Sequence, residues 1–75
     1  MHIERLVEMV NDIAANQVAD PAHADQMIAD HLRKFWDPRM RDQILAHHRA
    51  GGEGLSLLGR AGVERLAAQG NTAQR

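Results

Sequence analysis

Apolar residues recur every three or four positions along most of the chain. In residues 2–15, Ile3, Leu6, Val7, Val10, Ile13 and Ala14 fall at the i, i+3, i+4, i+7 spacing of one helical face, with Glu4, Arg5, Glu8 and Asp12 elsewhere. The spacing predicts an amphipathic helix closing near Asn16, a residue that tolerates the left-handed closing conformation, and a short connection through Gln17 to Ala19. Asp20-Pro21 is then a start signal, because proline suits the first helical position and an aspartate before it can cap the turn. A second helix is predicted over residues 21–36, with Ala24, Met27, Ile28, Leu32 and Phe35 on its apolar face and His31 on the same side. Asp20 and Asp25 near its start, Arg33 and Lys34 near its end, and Asp30 four residues before Lys34 all favour that helix.

Asp37-Pro38 repeats the signal and predicts a third helix over residues 38–50, with Met40, Ile44 and Leu45 on its buried side. Gly51-Gly52 should end it, and residues 51–54 read as a flexible turn. Residues 55–68 return to a helical pattern through Leu55, Leu58, Val63, Leu66 and Ala67, with Ser56 as a candidate cap. Gly59 and Gly62 lie inside that pattern and cost about 1 kcal/mol each relative to alanine, so this helix is expected to depend most on a partner. Residues 69–75 have no apolar anchor and are expected to be a disordered tail. The reading is an all-α domain over residues 1–68, a small bundle of three to four short helices. Its first two helices are expected to form an antiparallel hairpin with the others folded across it.

Length and charge narrow the function. A chain of 75 residues is at most one domain, whose core rarely contributes more than about 3–5 kcal/mol of net stability. There is no cysteine, which removes disulfides, thiolate zinc sites and iron–sulfur ligation. A formal net charge of −1 gives no overall drive toward nucleic acid or anionic membrane. No apolar run approaches the ~18 residues of a bilayer span, and the first residues lack a basic segment followed by an apolar one. The expectation is a cytoplasmic protein without nucleic-acid or membrane partners.

The candidate chemistry is sparse. Five histidines invite a metal site, but no two stand at i, i+4, and His47 and His48 point about 100° apart on a helix. His31 reads as packed or partner-facing, whereas His2, His23 and His47 read as solvated. Ser56 has no nucleophile context, and the GGEG segment lacks the Lys and Ser/Thr of a phosphate-binding loop. A helix-turn-helix with Arg39, Arg41 and Gln43 reaching bases is disfavoured, since the break at Asp37 is too tight for that motif.

Most distinctive is Phe35-Trp36-Asp37-Pro38-Arg39-Met40, which holds the only Phe, the only Trp and one of two prolines. Arg33, Lys34, Arg39 and Arg41 surround it, either as a solvated face balanced by Asp30, Asp37 and Asp42 or as a binding surface. For Trp36, packing in its own core and packing against a partner are both open.

The run FWDPRMRDQILAHHRAGGEGLSLLGRAGVERL, preceded by IERLVEMVNDIAANQ, resembles the small delta subunit of the NAD-dependent, molybdenum-containing formate dehydrogenases. The resemblance covers nearly the whole chain and implies a non-catalytic accessory subunit. In that family formate is oxidised at a molybdenum or tungsten bis-pterin guanine dinucleotide centre, and electrons pass through iron–sulfur clusters and FMN to NAD+. Those cofactors belong to the alpha, beta and gamma subunits, so the resemblance implies no catalytic, cofactor-binding or metal residue here. It implies docking on the catalytic alpha subunit in support of assembly or stability. The alternative is a transient maturation factor for insertion of the bis-molybdopterin guanine dinucleotide, recognising a guanine nucleotide. Carried over residue by residue, the motif makes Phe35, Trp36, Arg39, Met40 and Arg41 the expected partner interface, with Trp36 as anchor and Arg39 and Arg41 as charged contacts. Asp37 and Pro38 are then the structural corner. Gly59 and Gly62 are less helix-favouring than the resemblance leads one to expect.

Overall fold

The two Asp-Pro pairs start different structures. At the second, Asp37 Oδ1 accepts from the Met40 N–H at 2.9 Å, and the helix that follows runs directly from Pro38. At the first, Asp20 Oδ1 accepts from the Ala22 N–H at 3.0 Å, and Pro21–His23 forms a 3₁₀ turn. The ring of His23, 2.9 Å from Asp20 Oδ2, and then the Ala22 N–H hold the Asp20 carboxyl below its ordinary range.

The computed structural model describes residues 2–69 and comprises α1 (Ile3–Asn16), α2 (Ala24–Phe35), α3 (Pro38–Arg49) and α4 (Leu57–Gln69). The helix expected over residues 21–36 is therefore shorter at both ends. The 3₁₀ turn occupies its first three positions, and Trp36 is extended, with φ −93° and ψ 143°. The fourth helix starts two residues later than expected: Ser56 caps it by accepting from the Gly59 N–H at 3.1 Å, which leaves Leu55 in the loop. Gln69 closes α4, and the rest of the expected tail lies outside the described residues.

The core collects Leu6, Val10, Ile13 and Ala14 from α1 and Ala24, Ile28, Ala29 and Leu32 from α2. Ile44 and Leu45 from α3, Val63 and Leu66 from α4, and Trp36 and Leu55 from the connections complete it. The expected hairpin of the first two helices is not the organising contact. Helix α2 packs most extensively on α4, while α1 touches α2 only sparsely. One glycine of α4 is the reason: Gly62 is buried, and a Cβ there would lie 2.3 Å from Ile28 Cγ2. The missing side chain lets the two helices approach. Polar groups also join this pair, Arg65 Nη2 donating to Gln26 Oε1 at 2.6 Å and Arg33 Nη1 to Gln69 Oε1 at 3.0 Å.

Residues 51–54 are not the loose turn expected of them. The N–H of Gly52 reaches His47 O at 2.9 Å and that of Gly51 reaches His48 O at 3.1 Å, a Schellman closure of α3 that needs the positive φ of Gly51 (122°). Three side chains then fasten the loop. The Arg60 guanidinium donates to Gly51 O (2.9 Å) and Gly52 O (3.1 Å), and His47 Nε2 lies 2.7 Å from Glu53 O. From α1, the Asn11 amide donates to Gly54 O at 2.9 Å while its oxygen accepts from the Ser56 N–H at 2.9 Å. Asn11→Ala breaks both bonds and is expected to lower unfolding free energy by about 1–2 kcal/mol, with the start of α4 affected first. Hydrogen exchange checks this: amides 57–60 should lose protection before those of α1 do.

Candidate docking surface

Phe35 and Trp36 are neighbours in sequence and opposites in space. Helix α2 ends between them, and the extended backbone at Trp36 turns its indole into the core, 5% exposed, while Phe35 is left 71% exposed. Trp36 thus belongs to the chain's own core, and the aromatic side chain presented outward is that of Phe35. The Phe35 ring instead leans on His31, ring centroids 4.7 Å apart at an interplanar angle of 43°. This corrects the placement of Phe35 on the buried face of α2.

The other motif residues divide in the same way. Asp37 and Pro38 form the corner, with Asp37 engaged as the cap of α3. Arg41 folds back over the end of α2, where the last carbonyls of a helix lack intrahelical partners. Its Nη1 donates to Leu32 O and Arg33 O, both at 3.3 Å, and to Trp36 O. A residue expected as a charged contact therefore also binds the corner together. Met40 packs partly buried against the core, and Arg39 is exposed.

Beside Phe35 runs a groove of about 280 Å³. Ile13 and Val18 line it from the end of α1 and the following connection, Met27, His31 and Phe35 from α2, and Asp30 and Lys34 add charge. The Asp30 carboxylate accepts from the Gln26 amide at 2.8 Å rather than pairing with Lys34. Arg33, Lys34 and Arg39 are all exposed, and none has a carboxylate partner among the described residues. A second apolar groove, of about 600 Å³, lies between α1 and the start of α4 at Ala14, Ala15, Leu57 and Leu58, where Leu57 is 86% exposed.

Neither groove is apparent from the motif alone. The first follows a ladder four residues apart, Met27, His31 and Phe35, adjacent to the core ladder Ala24, Ile28 and Leu32. Both ladders lie within one broad apolar face, and only the position of α4 decides which is covered. The second follows from Leu57, an apolar residue immediately after the capping Ser56.

Among the described residues no three His, Cys, Asp or Glu side chains converge on a point that could hold a metal ion. His47, expected in solvent, is half-buried against Glu53 O. No helix of the described residues is long and apolar enough to cross a membrane.

No curated protein and no solved structure matches the chain. The family model for the NADH-dependent formate dehydrogenase delta subunit, FdsD, matches residues 5–63, which take in all but the first two residues of α1, the whole of α2 and α3, the fastened loop and the first half of α4, and the chain belongs to that family.

Proposed function

We propose that the chain is a non-catalytic accessory subunit of a cytoplasmic formate dehydrogenase, docked on its catalytic alpha subunit and stabilising the assembled complex. Membership of the delta-subunit family over most of the domain carries this reading. The distribution of side-chain roles supports it. Asn11, Asp37, Arg41 and Arg60 are engaged with the chain's own backbone, whereas large apolar side chains at Phe35 and Leu57 face outward. Exposed apolar surface of this kind on so small a domain suits burial in a complex. The molybdenum or tungsten pterin centre, the iron–sulfur clusters, FMN and NAD belong, in this reading, to the other subunits. The chain has no cysteine with which to ligate a cluster.

The test is co-expression of the tagged chain with the other dehydrogenase subunits, followed by affinity capture. Subunit stoichiometry, molybdenum content and formate-dependent NAD+ reduction are read in the eluate. The expected result is an equimolar, metal-loaded, active complex. Capture of metal-free catalytic subunit alone would replace this reading with a transient maturation role, and an eluate free of dehydrogenase subunits would remove the role in the complex altogether.

A further inference from the structure

We infer that a third groove, between the start of α1 and the loop over residues 51–54, receives an arginine side chain of the partner subunit, its stem laid on Ile3 and Val7 and its guanidinium set between Glu4 and Glu53. The inference rests on the accessory-subunit reading and adds a point of contact and the chemistry it recognises.

The groove, of about 460 Å³, is lined by Ile3, Glu4 and Val7 from α1, His47 from the last turn of α3, and Glu53 and Gly54 from the loop. Ile3 and Val7 pack half-buried against the core and give it an apolar floor. Glu4 and Glu53 are both exposed, and neither carboxylate has a hydrogen-bond or ion-pair partner among the described residues. No lysine or arginine lines the groove to balance them. Charge therefore specifies an occupant here and not at the other two grooves: the one beside Phe35 sets Asp30 against Lys34, and the one at Leu57 has Asp12 alone.

Glu4 stands in the first turn of α1, where a carboxylate suits the helix dipole whatever else it does. Glu53 has no such role, yet the backbone that carries it is fastened from three sides. Arg60 holds the carbonyls of Gly51 and Gly52, His47 holds that of Glu53 itself, and Asn11 holds that of Gly54. The loop is thus already ordered when a cation arrives, and only side-chain freedom is lost on binding. Arginine fits both parts of the groove. Its aliphatic stem packs on apolar surface while the head stays at the rim, and its planar fork of five donors can serve two carboxylates with charge-assisted bonds. A metal ion is a poor occupant, because no three candidate ligands converge among the described residues. A second copy pairing two-fold through this groove would set carboxylates against carboxylates.

The test co-expresses the full chain with the other dehydrogenase subunits and compares capture of the complex by Glu4→Gln/Glu53→Gln and by a control of equal charge change, Asp12→Asn/Glu64→Gln. All four positions are exposed, so both variants should keep the wild-type circular dichroism spectrum and urea midpoint. The groove variant is expected to weaken capture about tenfold or more in low salt, the control to leave it unchanged, and raising the salt to erode wild-type binding. Separately, the photo-cross-linking residue p-benzoylphenylalanine at position 53, with Glu4 retained, is expected to join one partner segment that contains an arginine. Changing that arginine to Gln should weaken capture by the wild-type chain as much as the groove variant does, and weaken the groove variant little further, as a shared contact requires. Wild-type capture by a folded groove variant, equal losses in groove and control variants, or fully additive losses would overturn this contact and leave the accessory role standing. Cross-links only to a second copy of the chain, or to a segment without an arginine, would overturn the arginine. A wild-type chain that captures no dehydrogenase subunit would overturn both readings.

Discussion

Trp36→Ala is expected to unfold the isolated chain, whereas Phe35→Ala, one residue earlier, should leave its stability within about 0.5 kcal/mol of wild type. Trp36 is almost fully enclosed within the core cluster, and replacing a buried tryptophan by alanine costs about 3–5 kcal/mol through lost contacts and the cavity left behind. That loss equals the whole net stability a domain of this size can be expected to have. The change also empties the space beneath the corner, where the Trp36 carbonyl accepts from Arg41. Phe35, by contrast, has most of its surface in solvent already. Urea titrations followed by circular dichroism separate the two cases. A Trp36→Ala chain unfolding cooperatively near the wild-type midpoint would show that the indole does not hold this core. In the complex the order should reverse in kind: Phe35→Ala is expected to weaken docking while the chain stays folded.

Amphipathic periodicity made α1 and α3 readable, because each has one polar side and one partner-facing side. The six apolar positions assigned to α1 all lie in or against the core. The Asp-Pro signals located both corners, but could not separate a 3₁₀ turn from the first turn of an α-helix, since both use the same cap and the same proline. For Trp36 and Phe35 the local pattern is symmetric. Each continues an apolar ladder of α2, and which one is buried depends on where the backbone leaves helical geometry. The pairing of α2 with α4 was hidden for a related reason. Propensity describes a helix alone, and by that measure Gly59 and Gly62 weaken α4. Their value appears only when Val10 and Ile28 lie against them. Of the candidate site, the exposed aromatic and its cations were visible as composition, while the groove needed the end of α1 brought beside α2.

Gly62→Ala separates these two views of α4. Judged on the helix alone, alanine should stabilise it by about 1 kcal/mol. In the folded chain its Cβ would lie 2.3 Å from Ile28 Cγ2 and 2.5 Å from Ile28 Cβ, where carbon atoms prefer about 3.5–4.0 Å. Ile28 is completely buried, so it has no free rotamer into which to retreat, and α2 and α4 must move apart along their most extensive contact. The movement would loosen Val63 and Leu66 and stretch the Arg65–Gln26 and Arg33–Gln69 bonds. A loss of at least about 3 kcal/mol is expected, enough to abolish cooperative unfolding of the isolated chain. Ile28→Ala should not rescue it, because the offending Ile28 Cβ remains. Gly59→Ala should be milder, since its nearest neighbours are the ends of side chains, Asn11 Oδ1 at 2.9 Å and Val10 Cγ1 at 3.1 Å. Thermal and urea midpoints of the three variants give the comparison. A raised midpoint for Gly62→Ala would mean that helix propensity outweighs packing at this position, and that α4 does not approach α2 as closely as the bundle requires.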